Sequence, residues 1–253
     1  MPKPDVRPAG APCWIELFSS DPAASEQFYG SLFDWKVQDP GPDYGGYRNF
    51  LKDDELVAGF MANDGSTGQP DGWNLYLTTD DIEAVAASAA TKGAQVVVPP
   101  MQVHALGTMA VMSDPSGATV GAWQPNEMPG FGVVAEPGAP AWFELHTTDY
   151  DAAVPFYRDV FGWETHSMSD SPEFRYTTLG EGDAQAAGIM DAATMGATTS
   201  FWTIYFNVEA ADATLAKIEA LGGKVVDPAQ DTPYGRLATA ADPTGATFRL
   251  QQP

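Results

Sequence analysis

In AWFELHTTD, residues 141–149, Glu144 and His146 stand two apart. On a β-strand that spacing puts both side chains on one face. A carboxylate beside an imidazole could there move a proton to or from a bound molecule. Trp142 shares the face and offers a flat apolar surface. The competing expectation is a solvated histidine at the rim of a sheet, with Glu144 tied to a backbone group or a neighbouring arginine. A second copy of the pattern, CWIELFSSD, opens the chain: Trp14 and Glu16 hold the equivalent places, and Phe18 stands where the later copy has His146. A carboxylate pointing into a half-closed apolar bowl favours its protonated form. Glu16 and Glu144 are therefore candidate acids, bases or anchors for a hydroxyl or cationic group.

The two copies belong to a duplication that spans the chain. Residues 11–35 align without gaps on residues 139–163, an offset of 139 − 11 = 128. Ala11, Pro12, Trp14, Glu16, Leu17, Asp21, Ala24, Phe28, Tyr29, Phe33 and Trp35 all recur. VAGFM (57–61) is echoed by AAGIM (186–190), WNLYLTTDD (73–81) by WTIYFNVEA (202–210), and SDPSGATVGAWQP (113–125) by ADPTGATFRLQQP (241–253). A period of this size is that of a domain and not of a solenoid repeat. The expected domains are residues 9–125 and 139–253, joined by NEMPGFGVVAEPG, residues 126–138, which is rich in Gly and Pro and lacks helical periodicity.

Within each copy the pattern reads strand, helix, strands, and then restarts. CWIELF alternates, with Cys13, Ile15 and Leu17 on one face and Trp14, Glu16 and Phe18 on the other. Asp21–Pro22 is a helix start, and Ala24, Phe28, Tyr29, Leu32 and Phe33 form its buried stripe. WNLYLTTDD begins a second strand and helix, closed by Gly93, and strands follow around the DPSG turn. Each domain is thus two βαβββ units, and the predicted class is α+β.

The chain carries 12 basic and 34 acidic residues, a net charge of −22. Such a surface repels nucleic-acid backbones and anionic lipid, so neither is an expected partner. One cysteine, Cys13, excludes an intrachain disulfide. No signal peptide or membrane-spanning stretch is expected, and the predicted location is the cytoplasm.

The order of elements, the D-x-x-x-x-x-x-F-Y spacing (Asp21 to Phe28–Tyr29, Asp149 to Phe156–Tyr157) and the D-P-x-G-A turn (Asp114 to Ala118, Asp242 to Ala246) resemble the vicinal oxygen chelate superfamily of glyoxalases, bleomycin-resistance proteins and extradiol dioxygenases. That resemblance implies an open, curled sheet in each domain and, in metal-dependent members, a His, Glu or Gln ligand on the first and last strand of each unit. Counting from the shared landmarks, those places fall here on Trp14, Gly59, Asn74 and Gly121, and on Trp142, Gly188, Thr203 and Arg249. None is His, Asp or Glu, and Trp and Gly side chains do not ligate metals. The histidines, His104, His146 and His166, do not give domain 1 a pair. No metal or other cofactor is therefore expected.

With those seats changed, the expected cavity is aromatic, with room left by Gly59 and Gly121 and a few polar groups. Its candidate ligand-binding residues are Trp14, Glu16, Asn74, Trp142, Thr203 and Arg249. Arg249 would favour an anion or pair with Glu144. His104 and Tyr234 fall in loops at the lip, as weaker candidates. The leading expectation is a binder of a small planar or partly apolar molecule. The alternative is a glyoxalase-like lyase, or a hydroxylase- or dioxygenase-like enzyme, using Glu144 and His146 or a non-standard metal site. A third reading is a non-catalytic assembly protein. A monomer with two paired domains and a homodimer are both expected forms. The domains diverge at Phe18/His146, Asn74/Thr203 and Gly121/Arg249, so two equal sites are not expected.

Overall fold

The computed structural model describes residues 8–66 and 68–253. The first repeat contains β1 (Pro12–Ser19), α1 (Pro22–Phe33), β2 (Lys36–Gln38), β3 (Arg48–Lys52), β4 (Glu55–Ala62), β5 (Gly72–Thr78), α2 (Ile82–Thr91), β6 (Gln95–Val103), β7 (Gly107–Ser113) and β8 (Thr119–Pro125). The second repeats the order with β9 (Pro140–Thr147), α3 (Tyr150–Phe161), β10 (Thr165–Ser171), β11 (Phe174–Leu179), β12 (Ala187–Asp191), β13 (Phe201–Asn207), α4 (Ala211–Ala220), β14 (Lys224–Thr232), β15 (Gly235–Ala241) and β16 (Thr247–Gln252). No helix among the described residues is long and apolar enough to cross a membrane.

Local chemistry sets the boundaries. The carboxylates of Asp21, Asp81 and Asp149 accept hydrogen bonds from the backbone N–H of Ala24 (3.0 Å), Ala84 (2.9 Å) and Ala152 (3.1 Å), satisfying a donor that the helix start leaves open. Helix α4 has Ala210 at that place, and its first N–H turns instead to the Gln252 side chain at 3.0 Å.

The strands form two open eight-stranded sheets, β2-β3-β4-β1-β5-β8-β7-β6 and β10-β11-β12-β9-β13-β16-β15-β14. In each, a parallel pair brings the first strand beside the fourth: Glu16 lies across from Gly59, and Glu144 across from Gly188. A second parallel pair sets Tyr76 across from Gly121 and Tyr205 across from Arg249.

Contacts group the chain into two compact units, and each draws on both repeats. Of the described residues, one comprises 8–13, Leu75–Gly130 and Phe143–Trp202; the other comprises Trp14–Asn74, Phe131–Trp142 and Thr203–Pro253. The motifs shared by the repeats explain this. In the first unit the Asp114 carboxylate closes its own D-P-x-G-A turn on the N–H groups of Ser116 (2.8 Å) and Ala118 (3.0 Å), with Gly117 at φ 93°. Its other oxygen accepts from Tyr157 at 2.9 Å, and the Tyr157 oxygen accepts from Trp202 Nε1 at 2.9 Å. In the second unit Asp242, Tyr29 and Trp73 repeat the arrangement, at 3.2 and 3.1 Å. Burial raises the pKa of both aspartates and of both tyrosines.

Around these chains of hydrogen bonds lie the aromatic cores. Tyr29, Phe33, Trp35, Phe206 and Phe248 pack in one unit, and Tyr157, Phe161, Trp163 and Trp202 in the other. Cys13, Ile15 and Leu17 are fully buried, on the predicted core face of β1. The segment 126–138 contains no helix and packs closely: Gly132 N–H donates to Leu56 O at 2.7 Å, and Phe131 is buried against Trp14 with ring centroids 5.8 Å apart.

Candidate functional site

Strand parity places Glu144 and His146 together on β9, and the fold buries both. His146 Nε2 lies 2.8 Å from Glu144 Oε1. The other carboxylate oxygen, Oε2, accepts from the Tyr176 hydroxyl at 2.7 Å. The imidazole stacks on Phe201, centroids 5.0 Å apart and planes 20° apart, while Tyr176 stacks on Phe174 at 5.7 Å and 12°. His146 is 5% exposed and Phe201 is 43% exposed, so the buried polar pair abuts an aromatic ring open to solvent. The expectation of a solvated rim histidine is thus corrected: its ring is sandwiched between a carboxylate and an apolar ring, where burial is compatible with a satisfied hydrogen bond.

The first repeat builds a different version. Trp14 Nε1 donates to the Tyr47 hydroxyl at 2.8 Å, and that hydroxyl bonds Glu16. Desolvation around its oxygen, and then the Glu16 charge, push the Tyr47 phenol well above its usual range, although its ring is half-buried. Trp14 is buried between this hydroxyl and Phe131, whereas Trp142 is half-buried. Phe18 has no polar atom to put where the second repeat has His146.

The glycines do not leave room for a ligand, contrary to the sequence expectation. A Cβ at Gly59 or Gly188 would overlap the hydroxyl of Tyr47 or Tyr176, and one at Gly121 would overlap the Tyr76 ring. Each glycine is the place where a tyrosine, from β5, β11 or the residue just before β3, crosses the sheet face. At Gly188 the reason is direct: Gly188 lies across from Glu144, and the Tyr176 ring must pass over it to reach the carboxylate. Sequence reasoning missed Tyr47 and Tyr176, although their equal spacing from the repeated glycines (59 − 47 = 12 and 188 − 176 = 12) was a signal. Phe131 and Phe201 carried none, because their contacts depend on how separate segments pack.

In the other unit, Arg249 donates from Nη1 to the Tyr205 hydroxyl at 2.9 Å, with its guanidinium carbon 5.3 Å from the ring centre. That hydrogen bond uses one of the five guanidinium N–H donors. Thr203 is buried and Asn74 half-buried. His104 sits in the β6–β7 turn at φ 47°, and Tyr234, 62% exposed, sits in the β14–β15 turn.

The residues at the family's ligand places do not fit a metal. The indoles, the guanidinium and the three glycines overlain by tyrosines supply no lone pairs, which leaves one neutral oxygen in each repeat, on Asn74 and on Thr203. Among the described residues no three His, Cys, Asp or Glu side chains come together as a ligand group.

Comparison with known proteins agrees with the fold. The family model described as "Glyoxalase/Bleomycin resistance protein/Dioxygenase superfamily" matches residues 13–121 and again 139–250. The protein named "Putative glyoxylase CFP32" of Mycobacterium tuberculosis is 38% identical over 258 residues, covering 100% of this chain and 98% of its own. "Anthracycline biosynthesis protein DnrV" of Streptomyces peucetius is 36% identical over 261 residues, covering 95% and 92%. Among solved structures, the Mn(II)-bound glyoxalase of Novosphingobium aromaticivorans superposes with a TM-score of 0.68 at 13% identity, covering 98% of this chain and 83% of that one. The 2,3-dioxygenase LapB of Pseudomonas sp. KL28 gives the same score and identity, covering 98% and 94%. With both halves matched by the family model and relatives similar along their whole length, the chain belongs to the glyoxalase/bleomycin resistance protein/dioxygenase superfamily.

Proposed function

We propose that the chain binds one small, planar, partly apolar molecule against the Glu144–His146 face of its second repeat. Ring stacking and hydrogen bonds to the side chains hold it, without metal chelation. The observation that carries the reading is the buried Glu144–His146 pair opening onto the exposed ring of Phe201. A flat apolar surface with a few fixed polar groups suits such ligands. The first repeat, with Trp14 covered by Phe131 and Phe18 in place of His146, serves as scaffold. The name of the Streptomyces relative, which refers to anthracycline biosynthesis, supports a fused-ring aromatic as the ligand class. The acidic surface is consistent with a cytoplasmic protein that does not bind nucleic acid or membrane, acting as a monomer or homodimer.

Titration with a hydroxylated fused-ring aromatic, followed by tryptophan fluorescence and calorimetry, tests this. One molecule per chain is expected, with binding weakened by His146→Phe and unchanged by Trp14→Phe. Two equal sites, or equal loss from both variants, would refute it.

The hydrogen bond between Glu144 and His146 also favours a second reading, in which the same face removes a proton beside a carbonyl. Recovery of the bound molecule unchanged after long incubation argues for binding alone. A product absent with the His146→Phe variant argues for the enzyme.

A further inference from the structure

We propose that Glu144 and Tyr176 act on His146 and not on the ligand. They keep the imidazole proton on Nε2 and leave Nδ1 as the acceptor that meets a ligand O–H or N–H. This rests on reading the second-repeat face as a ligand site.

Both oxygens of Glu144 are engaged, Oε2 by the Tyr176 hydroxyl at 2.7 Å and Oε1 by His146 Nε2 at 2.8 Å. Two donors aimed at one carboxylate favour its ionised form. The proton between Oε1 and Nε2 therefore belongs to the imidazole. A neutral imidazole with its hydrogen on Nε2 has a lone pair on Nδ1. Among the described residues, the hydrogen bond of His146 is made by Nε2 and its ring contact is the face against Phe201. The buried side-chain polar atom without a partner among the described residues is Asn207 Oδ1, so His146 Nδ1 keeps some contact with solvent.

The role of Glu144 changes accordingly. Two donors already stabilise its negative charge, which makes Glu144 a weaker base toward a ligand than an unpaired carboxylate. As a positioning residue it fixes tautomer and ring orientation, the part a carboxylate plays behind a histidine base. Gly188 is part of the same device, because only a residue without Cβ lets Tyr176 cross to Glu144. The first repeat keeps the tyrosine and the glutamate but has Phe18 in place of the imidazole. Its network thus lacks the imidazole nitrogen.

The test begins on the ligand-free full chain, with ¹⁵N-labelled histidine followed by NMR and His146 assigned from the His146→Phe spectrum. The expected wild-type state has the proton on Nε2, with a resonance slow enough in exchange to be seen; a proton on Nδ1 overturns the proposal. In Glu144→Gln, Tyr176 donates to the amide oxygen, so the amide NH₂ faces Nε2 and drives the imidazole proton to Nδ1. Retention of the Nε2 proton in that variant, with the circular dichroism spectrum intact, also overturns it. The second arm compares 1-naphthol with 1-methoxynaphthalene, which lacks the hydroxyl hydrogen. Wild type is expected to prefer the naphthol by about tenfold, the worth of one hydrogen bond, and Glu144→Gln to lose that preference. Equal binding by wild type overturns the role of Nδ1. Failure of both compounds to bind counts against the planar-ligand reading, and the tautomer alone then decides the relay.

Discussion

The hydroxyl of Tyr157, on the first helix of the second repeat, donates at 2.9 Å to the carboxylate of Asp114, in the last turn of the first. With its counterpart between Tyr29 and Asp242, this contact ties one repeat to the other inside each compact unit. Removing the hydroxyl leaves a buried carboxylate short of a donor. Tyr157→Phe and Tyr29→Phe are each expected to cost about 1–3 kcal/mol in denaturant unfolding. A loss near zero for both would mean that the repeats are held together by apolar packing alone.

The same carboxylates carry a pH dependence of definite sign. Burial raises the pKa of Asp114 and Asp242 above the ordinary 3.8, so the folded state binds protons more tightly than the unfolded one. Their contribution is fully present below 3.8 and is lost as pH rises through the raised folded values. Asp114→Asn removes one such group. Wild type should therefore lose stability relative to this variant on going from acid to neutral pH. Unfolding midpoints across that range check the slope, and the opposite slope would contradict the assignment.

The segment joining the repeats is a packed part of the fold. Phe131 is 6% exposed and lies on Trp14. Phe131→Ala should cost about 3 kcal/mol or more, the usual result of emptying a buried phenylalanine site. A flexible linker would show almost no change in calorimetry.

Glycine substitutions should separate site from scaffold. At Gly121 a methyl meets the ring of Tyr76, which is 4% exposed and has nowhere to go. Gly121→Ala should lose about 1–3 kcal/mol to overpacking. At Gly188 the methyl meets only the far end of half-buried Tyr176. Gly188→Ala should cost less stability but weaken ligand binding, because Tyr176 is pushed off Glu144. The reverse order in thermal unfolding and titration would refute this division.

Divalent metal should not stabilise the chain. Adding Mn²⁺ or Zn²⁺, or removing metal with a chelator, is expected to leave the unfolding temperature unchanged. A ligand present at a hundredfold its Kd would contribute about 2.7 kcal/mol. A rise of that size on adding metal would reveal a site that the residues at the family's ligand places do not provide.

Much of this protein was legible from local patterns, because strand parity and helix caps depend on residues a few places apart. Glu144 and His146 had to share a face if residues 140–147 formed a strand, and Asp21, Asp81 and Asp149 had to cap helices once their acceptors preceded apolar stripes. The duplication and the family followed from residue identity alone. What fills the space in front of the family's ligand places did not. Whether Gly59, Gly121 and Gly188 leave room depends on the register between paired strands, which sends Tyr47, Tyr76 and Tyr176 across them. That His146 is buried depends on Phe201, 55 residues further on (201 − 146), meeting its ring. Spacing along the chain fixes which way a side chain leaves its strand, and only the packing of distant segments fixes what it meets there.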